Sequence, residues 1–186
     1  MGNGRQPVIF LVGPSGAGKS TLAGWLAEDD GFLHLEIDEF PNGDGIDAAG
    51  LRAEWEAFRL GGSARPLAEA ISRQAAAVRH FGAVLSFPSL LVLDTRQLET
   101  LRQQGVTALV LYGAASECLD SFLRYEERTS RVQGVDPVEH WMGNNRASYM
   151  AFSRPEYAAI RLNAFQNGTH VPRAALVAEV RRRRAC

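Results

Sequence analysis

The stretch Gly13-Pro14-Ser15-Gly16-Ala17-Gly18-Lys19-Ser20 decides the fold of this chain of 186 residues. It follows the pattern GxxxxGK[ST], whose glycines let successive backbone N–H groups turn towards phosphate oxygens. Lys19 is the only lysine, and the other 19 of the 20 Lys and Arg residues are arginine. A compact ammonium on a flexible stem can reach between two phosphates where a planar guanidinium cannot. The retained lysine therefore strengthens the prediction of a phosphate-binding loop.

Both flanks of this stretch fit such a loop. Val8-Ile9-Phe10-Leu11-Val12 is a continuous apolar run, typical of a strand buried on both faces. Residues 21–28 place Leu22, Trp25 and Leu26 on one face of a helix. A strand, a glycine loop and a helix N-terminus form an anion site, because the helix end adds a partial positive charge. The alternative is a glycine-rich turn that binds nothing.

The loop motif predicts which residues contact the nucleotide. The Ser20 hydroxyl is predicted to bind Mg²⁺, and Thr21 lies next to it near the phosphates. The residues predicted to bind the nucleotide are Gly13, Ser15, Gly16, Ala17, Gly18, Lys19, Ser20 and Thr21.

Composition limits the remaining classes of function. An apolar fraction of 46% and a charged fraction of 22% are ordinary for a soluble chain, and the length suits one α/β domain. The net charge of −1 argues against a nucleic-acid or membrane partner. Arg181–Arg184 fits the solvated end of a last helix, with RNA or an acidic partner as the alternative. Cys118 and Cys186 indicate neither a disulfide framework nor a metal site. We find no leader and no apolar run of spanning length, so the expected location is the cytoplasm.

Strands and helices alternate along the chain, which predicts a mostly parallel sheet with helices on both faces. The predicted strands are about 7–12, 32–37, 83–87, 108–112 and 158–165, and the predicted helices are about 19–29, 47–60, 64–80, 95–104, 115–128, 137–152 and 172–184. Ligands of such sheets bind at the carboxyl ends of the strands. That rule brings Gly13, Asp38 and Ser86 together.

Three features make the chain resemble the small-molecule kinases of the P-loop superfamily, the group with shikimate, gluconate and nucleoside-monophosphate kinases. They are the loop itself, a strand ending at Asp38 at close to the family's spacing from Lys19, and the arginine-rich segment 124–131, which looks like a lid. The resemblance implies a three-layer fold with strand order 2-3-1-4-5, ATP as donor, and a hydroxyl or phosphate acceptor. These relatives are often monomers or dimers, so the resemblance implies a monomer or a homodimer.

Within a single domain of residues 1–186, we interpret residues 41–80 as an acceptor-binding insertion and residues 120–153 as the lid region. No Asp-Gly-Gly-Gly-like stretch follows strand 3, and the acceptor signatures of nucleotide kinases are missing. The acceptor is therefore not named by the sequence. Arginines at 52, 59 and 65 indicate an anionic group on it.

Asp38 is the predicted catalytic carboxylate and, with Ser20, a predicted metal ligand. It would orient or deprotonate an attacking hydroxyl, since positioning matters more than base strength in phosphoryl transfer. The alternative is an aspartate that ends a strand and starts a turn. Glu36 and Glu39 are weaker candidates.

A second acidic position is ambiguous. The run Leu90-Leu91-Val92-Leu93-Asp94 fits four apolar residues followed by a metal-binding aspartate. Asp94 also fits a helix N-cap, because Gln97 follows three residues later. We favour the cap, in which case Ser86 or Ser89 occupies the end of strand 3.

Arg124, Arg128 and Arg131 share one helical face if the helix continues through them. Arg128 and Arg131 are predicted to be catalytic, because guanidinium groups match the charge spread over a transferring phosphoryl group. Arg124 is predicted to contact the nucleotide. The alternative is a solvated face that pairs with Glu126 and Glu127.

Two further segments are open to interpretation. Trp141, Asn145 and Tyr149 lie at i, i+4 and i+8, where they line an acceptor pocket or only dock the helix. In relatives, the segment after the last strand, here 166–169, surrounds adenine with backbone groups. The four histidines show no metal-ligand spacing.

The pattern favours an ATP-dependent phosphotransferase that acts on a hydroxyl or phosphate of a small metabolite. A stand-alone NTPase and a nucleotide-sensing module, perhaps RNA-linked, are the alternatives. A guanine-specific Asn-Lys-x-Asp motif does not occur, because the one lysine lies in the loop.

Overall fold

In the computed structural model, the structure describes residues 6–37, 46–89, 92–130 and 132–184. The strands are β1 (Val8–Val12), β2 (Phe32–Glu36), β3 (Gly82–Ser86), β4 (Val106–Tyr112), β5 (Arg161–Asn163), β6 (Phe165–Gln166) and β7 (Thr169–His170). The helices are α1 (Lys19–Asp30), α2 (Ala48–Arg59), α3 (Ala64–Ala77), α4 (Thr95–Gln103), α5 (Ala115–Thr129), α6 (Pro137–Phe152) and α7 (Arg173–Arg184), with a 3-10 helix at Pro155–Ile160.

The main sheet has five strands in the order β2-β3-β1-β4-β5 with helices around it, which confirms the predicted strand order. The pairs β2–β3, β1–β3 and β4–β5 are parallel. In this register Ser86 lies opposite Leu11 on one side and Glu36 on the other. The carboxyl ends of β1, β2 and β3 therefore lie at one edge of the sheet.

Contacts divide the chain into two compact units. The first comprises Met1–Leu11, Ala23–Ser86 and Leu93–Ala108, and the second comprises Val12–Leu22, Phe87–Val92 and Leu109–Cys186. Fully buried side chains of the first unit include Phe10, Leu26, Phe32, Leu35, Phe58 and Leu67. Those of the second include Val12, Leu22, Leu111 and Phe152. The glycine loop of residues 13–20 and the predicted lid region of residues 120–153 lie in the second unit.

Side-chain caps set several helix boundaries. Asp94 accepts a hydrogen bond from the Gln97 backbone N–H at 2.7 Å, and the Gln97 side chain accepts one from the Asp94 N–H at 3.0 Å. This capping box confirms the predicted structural role of Asp94. Asp136 accepts from the first turn of α6, where Pro137 occupies the first helical position.

The segment after α6 differs from the prediction. A single strand at 158–165 was expected, but the structure has a 3-10 helix, then the short β5, then a hairpin of β6 and β7. Asn167 and Gly168 turn this hairpin with φ of 53° and 75°. An Asn-Gly pair favours this turn because both positions need positive φ.

No helix among the described residues is long and apolar enough to cross a membrane.

Candidate phosphate-binding site

The loop between β1 and α1 can be built only with glycine at several positions. Gly13, Gly16 and Gly18 have φ of 138°, 83° and 88°. A Cβ on Gly13 would overlap the carbonyl of Leu111 in β4, and one on Gly16 would overlap the carbonyl of Cys118 in α5. The positive φ angles and this close backbone approach explain the glycine spacing of the motif.

The Lys19 ammonium lies along its own loop. Its Nζ donates hydrogen bonds to the carbonyl oxygens of Gly13 and Pro14, both at 2.9 Å. Lys19 is also the first residue of α1, so its charge adds to the positive end of the helix dipole. Ser20 and Thr21 follow in the first turn, and both are exposed. The structure thus brings together all the loop residues that were predicted to bind nucleotide.

Helix α6 contacts the loop through two buried side chains. The Ser15 N–H donates to Asn145 Oδ1 at 2.6 Å, and Trp141 Nε1–H donates to the Ser15 carbonyl at 3.0 Å. Asn145 Nδ2 donates to the Trp141 carbonyl at 2.8 Å. Of the two interpretations of this helical face, the structure supports docking, and the docking partner is the loop itself.

His170 is a neighbour of the loop that the sequence did not indicate. Its Cε1 lies 3.4 Å from the position of a Cβ on Gly18, and its Nε2 lies 3.1 Å from Ser121 Oγ. Its ring packs on Phe165, with the centroids 4.1 Å apart. Burial lowers the pKa of His170, and the charge of Arg124 lowers it further. The Asn-Gly turn was the one signal for this placement, because it pairs Phe165 with His170.

The predicted lid arginines are only partly described. Arg124 and Arg128 are exposed on α5, and Arg128 Nε donates to the Arg124 carbonyl at 3.2 Å. Arg131 lies outside the described residues. Glu126 is buried, and its carboxylate accepts from the Val132 N–H at 2.8 Å, beyond the end of α5. An arginine lid closed over the loop is not shown, so the roles of these arginines stay predictions.

The carboxyl ends of β2 and β3 carry a small polar cluster in the first unit. His34 Nε2 lies 3.0 Å from Ser86 Oγ and 3.8 Å from Glu36 Oε1. Burial lowers the pKa of His34, while the Glu36 charge raises it. Ser86 is buried at the end of β3, as expected if Asp94 is a cap. Asp38 and Glu39 lie outside the described residues.

Among the described residues, no group of three or more His, Cys, Asp and Glu side chains could hold a metal ion. The Ser20 hydroxyl stays a predicted Mg²⁺ ligand. Mg²⁺ commonly keeps several waters and needs few protein ligands.

Comparisons with known proteins give weak likenesses. No family model and no curated protein matches the chain. A gluconokinase from Sinorhizobium meliloti 1021 is 16% identical over 97% of this chain and 92% of that chain, with a TM-score of 0.46. Shikimate kinase from Acinetobacter baumannii, in complex with shikimate, is 19% identical over 94% and 91%, with a TM-score of 0.47. Mycobacterium tuberculosis APS kinase, in complex with AMPPNP and APS, is 15% identical over 98% and 99%, with a TM-score of 0.48.

Proposed function

We propose that the chain is a phosphotransferase that moves the γ-phosphoryl group of Mg·ATP to a hydroxyl or a phosphate of a small metabolite. The observation that carries the proposal is the position of Lys19. Its ammonium lies 2.9 Å from two carbonyls of a glycine loop, at the N-terminus of the helix that follows the central strand of a 2-3-1-4-5 sheet. The retention of the one lysine of the chain at this point agrees with a phosphate-binding role.

The chemistry of the loop fits a nucleoside triphosphate. Three glycines at positive φ let the loop turn, and two of them, Gly13 and Gly16, let it lie against the backbone of β4 and α5. The first turn of α1 presents the hydroxyls of Ser20 and Thr21. When bound, Mg²⁺ neutralises charge that develops on the phosphate oxygens. Phosphate oxygens are stronger acceptors than carbonyls, so the Lys19 ammonium would leave Gly13 and Pro14 for them. The Ser20 hydroxyl would serve as a metal ligand.

The acceptor side rests on residues of the predicted insertion 41–80. Arg59 pairs with Glu56 at 3.5 Å, and Arg65 pairs with Glu69 at 2.8 Å, each along its own helix. Arg52 lines an open depression of about 490 Å³ on α2, together with Ala48, Ala49, Ala53 and Glu56. All three arginines remain candidates for binding an anionic group on the acceptor. Asp38, Arg128 and Arg131 keep their proposed catalytic roles.

The proposal is tested by measuring ADP release from Mg·ATP with a water-only blank. The panel of acceptors contains sugars, sugar acids, nucleosides, nucleotides and aminocyclitols, and Lys19→Ala serves as the inactive control. One acceptor that accelerates a slow blank many-fold would establish a kinase and its substrate class. A rate that is the same for every acceptor would overturn the phosphotransferase proposal in favour of an NTPase or a nucleotide-sensing module.

A further inference from the structure

The backbone of Ser15 is held at both ends by one helix. Asn145 Oδ1 accepts a hydrogen bond from the Ser15 N–H, and the Trp141 indole N–H donates one to the Ser15 carbonyl. These residues are 130 and 126 positions away from Ser15 along the chain. Asn145 is 1% exposed and Trp141 is 3% exposed. Polar groups of such buried side chains are costly to leave without a hydrogen bond. We call this pair of side chains the α6 clamp.

The orientation of the Asn145 amide is fixed by its second contact. Its Nδ2 donates to the Trp141 carbonyl at 2.8 Å, and a carbonyl only accepts. The Oδ1 atom must therefore face the Ser15 N–H. Both polar ends of the amide are used, so Asn145 links the loop to the backbone of α6 in one geometry.

Aromatic packing holds the same face of α6 in place. The Trp141 and Tyr149 rings lie 5.7 Å apart, and Tyr149 lies 5.7 Å from Tyr112 at the end of β4. Burial raises the pKa of Tyr149, so its hydroxyl stays protonated. Met142 and Met150 are exposed on the same helix, more than half of each being accessible. The clamp thus lies on the packed face of α6.

The clamp acts between two other constraints on the loop. Pro14, just before Ser15, accepts from the Lys19 ammonium, and Gly16, just after it, lies against the backbone of α5. Three successive residues of the loop are thereby fixed by three different elements. Apolar contacts alone would dock a helix, whereas these hydrogen bonds set the orientation of the peptide groups on both sides of Ser15.

We propose that Trp141 and Asn145 are positioning residues that preorganise the phosphate loop for nucleotide. This proposal rests on the proposed function only in that the loop binds a nucleotide. A loop that is already ordered loses less conformational freedom on binding, so the clamp increases affinity without touching the ligand. Because it acts equally on the ground state and the transition state, its loss raises the KM for ATP and leaves kcat nearly unchanged.

The test compares clamp variants with a matched variant of the same helix. Asn145→Ala removes the acceptor of the Ser15 N–H, and Trp141→Phe keeps the ring but removes the indole N–H. Ser148→Ala is the control, because the Ser148 hydroxyl donates to the Ser89 carbonyl and so anchors α6 through a hydrogen bond outside the loop. Affinity for Mg·ADP is measured by calorimetry, and folding by thermal denaturation. Indole fluorescence of the wild type, compared with Trp141→Phe, reports whether Trp141 senses the nucleotide.

We expect both clamp variants to weaken Mg·ADP binding about tenfold, equivalent to about 1.4 kcal/mol. Ser148→Ala is expected to lower the melting temperature but to keep wild-type affinity, and the fluorescence response is expected to disappear in Trp141→Phe. Wild-type affinity in both folded clamp variants would overturn the clamp alone. If Ser148→Ala weakened Mg·ADP binding as much as the clamp variants do, the clamp would be overturned in favour of a general loosening of α6. If the wild type binds no nucleotide, the proposed function fails together with the clamp.

Discussion

The carbonyl oxygen of Cys118 occupies the space that a Cβ on Gly16 would need. The phosphate loop therefore lies directly against the backbone of α5, with no side chain between them. Gly16 also has φ of 83°, a value that only glycine adopts at little cost. The geometry of the loop thus depends on the position of α5 as well as on its own sequence.

Gly16→Ala is expected to destabilise the protein, because the new methyl group meets backbone that cannot rotate away. The strained φ alone costs on the order of 1–3 kcal/mol. Gly24→Ala is the matched control. It lies inside α1 with no atom within 4 Å of its Cβ position, so it should stabilise by about 0.5–1 kcal/mol. Urea unfolding of both variants measures the difference, and equal stability of the two would contradict the close packing of Gly16.

Lys19→Ala is expected to lower kcat by about 10²–10³, because it removes a charge directed at the transferring phosphoryl group. Lys19→Arg should not restore activity, since a planar fork does not replace a compact ammonium. Arg102→Ala, which removes an exposed arginine paired with Glu99, is the control and should leave kcat unchanged. ADP release under saturating Mg·ATP measures all three. Wild-type turnover in Lys19→Ala would end the interpretation of the loop as a catalytic phosphate site.

Asp94→Ala is expected to destabilise the protein by about 1 kcal/mol without changing kcat, because the Asp94 side chain is used to cap α4. Asp94→Ser retains a capping oxygen and should recover most of that stability. The measurements are urea unfolding and ADP release. If Asp94→Ala lost turnover while keeping its stability, the metal-ligand alternative would replace the cap.

His34 is expected to make stability depend on pH. Burial lowers its pKa below 6.5 in the folded state, so between 6.5 and that lower pKa the unfolded chain binds a proton that the folded chain does not. The contribution of neutral His34 to the free energy of unfolding is therefore fully present above pH 6.5. It is lost as the pH falls through this window. His34→Gln should flatten this part of the profile. Unfolding midpoints between pH 5 and pH 8 test it, and an unchanged slope in the variant would exclude His34 as the cause.

Arg128→Ala is expected to lower kcat by about two orders of magnitude if the residue stabilises the transferring phosphoryl group. Its stability should stay close to that of the wild type, because the side chain is exposed on α5. Arg146→Ala, also exposed but on α6, is the comparison variant. Equal kcat in the two variants would show that Arg128 belongs to a solvated face.

The features that could be predicted from the sequence are those set by residues close together along the chain. The spacing of glycines with Lys19 identified the loop, and Asp94 with Gln97 identified the start of α4, because a cap is made within three residues. The elements before α6 end within a few residues of their predicted limits. The last strand of the sheet was predicted in the right place but too long, since the apolar pattern of 158–165 does not separate β5 from the 3-10 helix before it. The roles of Asp38 and Arg131 stay predictions, because both lie outside the described residues.

The sequence by itself determined that a glycine loop joins a buried strand to a helix, because glycine conformations and apolar periodicity are local properties. Only the tertiary structure decided which side chains hold that loop. Asn145 and Trp141 reach Ser15 across more than 120 residues, and His170 reaches Gly18 through a hairpin. Such contacts depend on how whole helices pack. A helical face that carries Trp, Asn and Tyr four residues apart is equally consistent with several packing partners. Packing selects the partner, because buried polar groups must find donors and acceptors within the assembled fold.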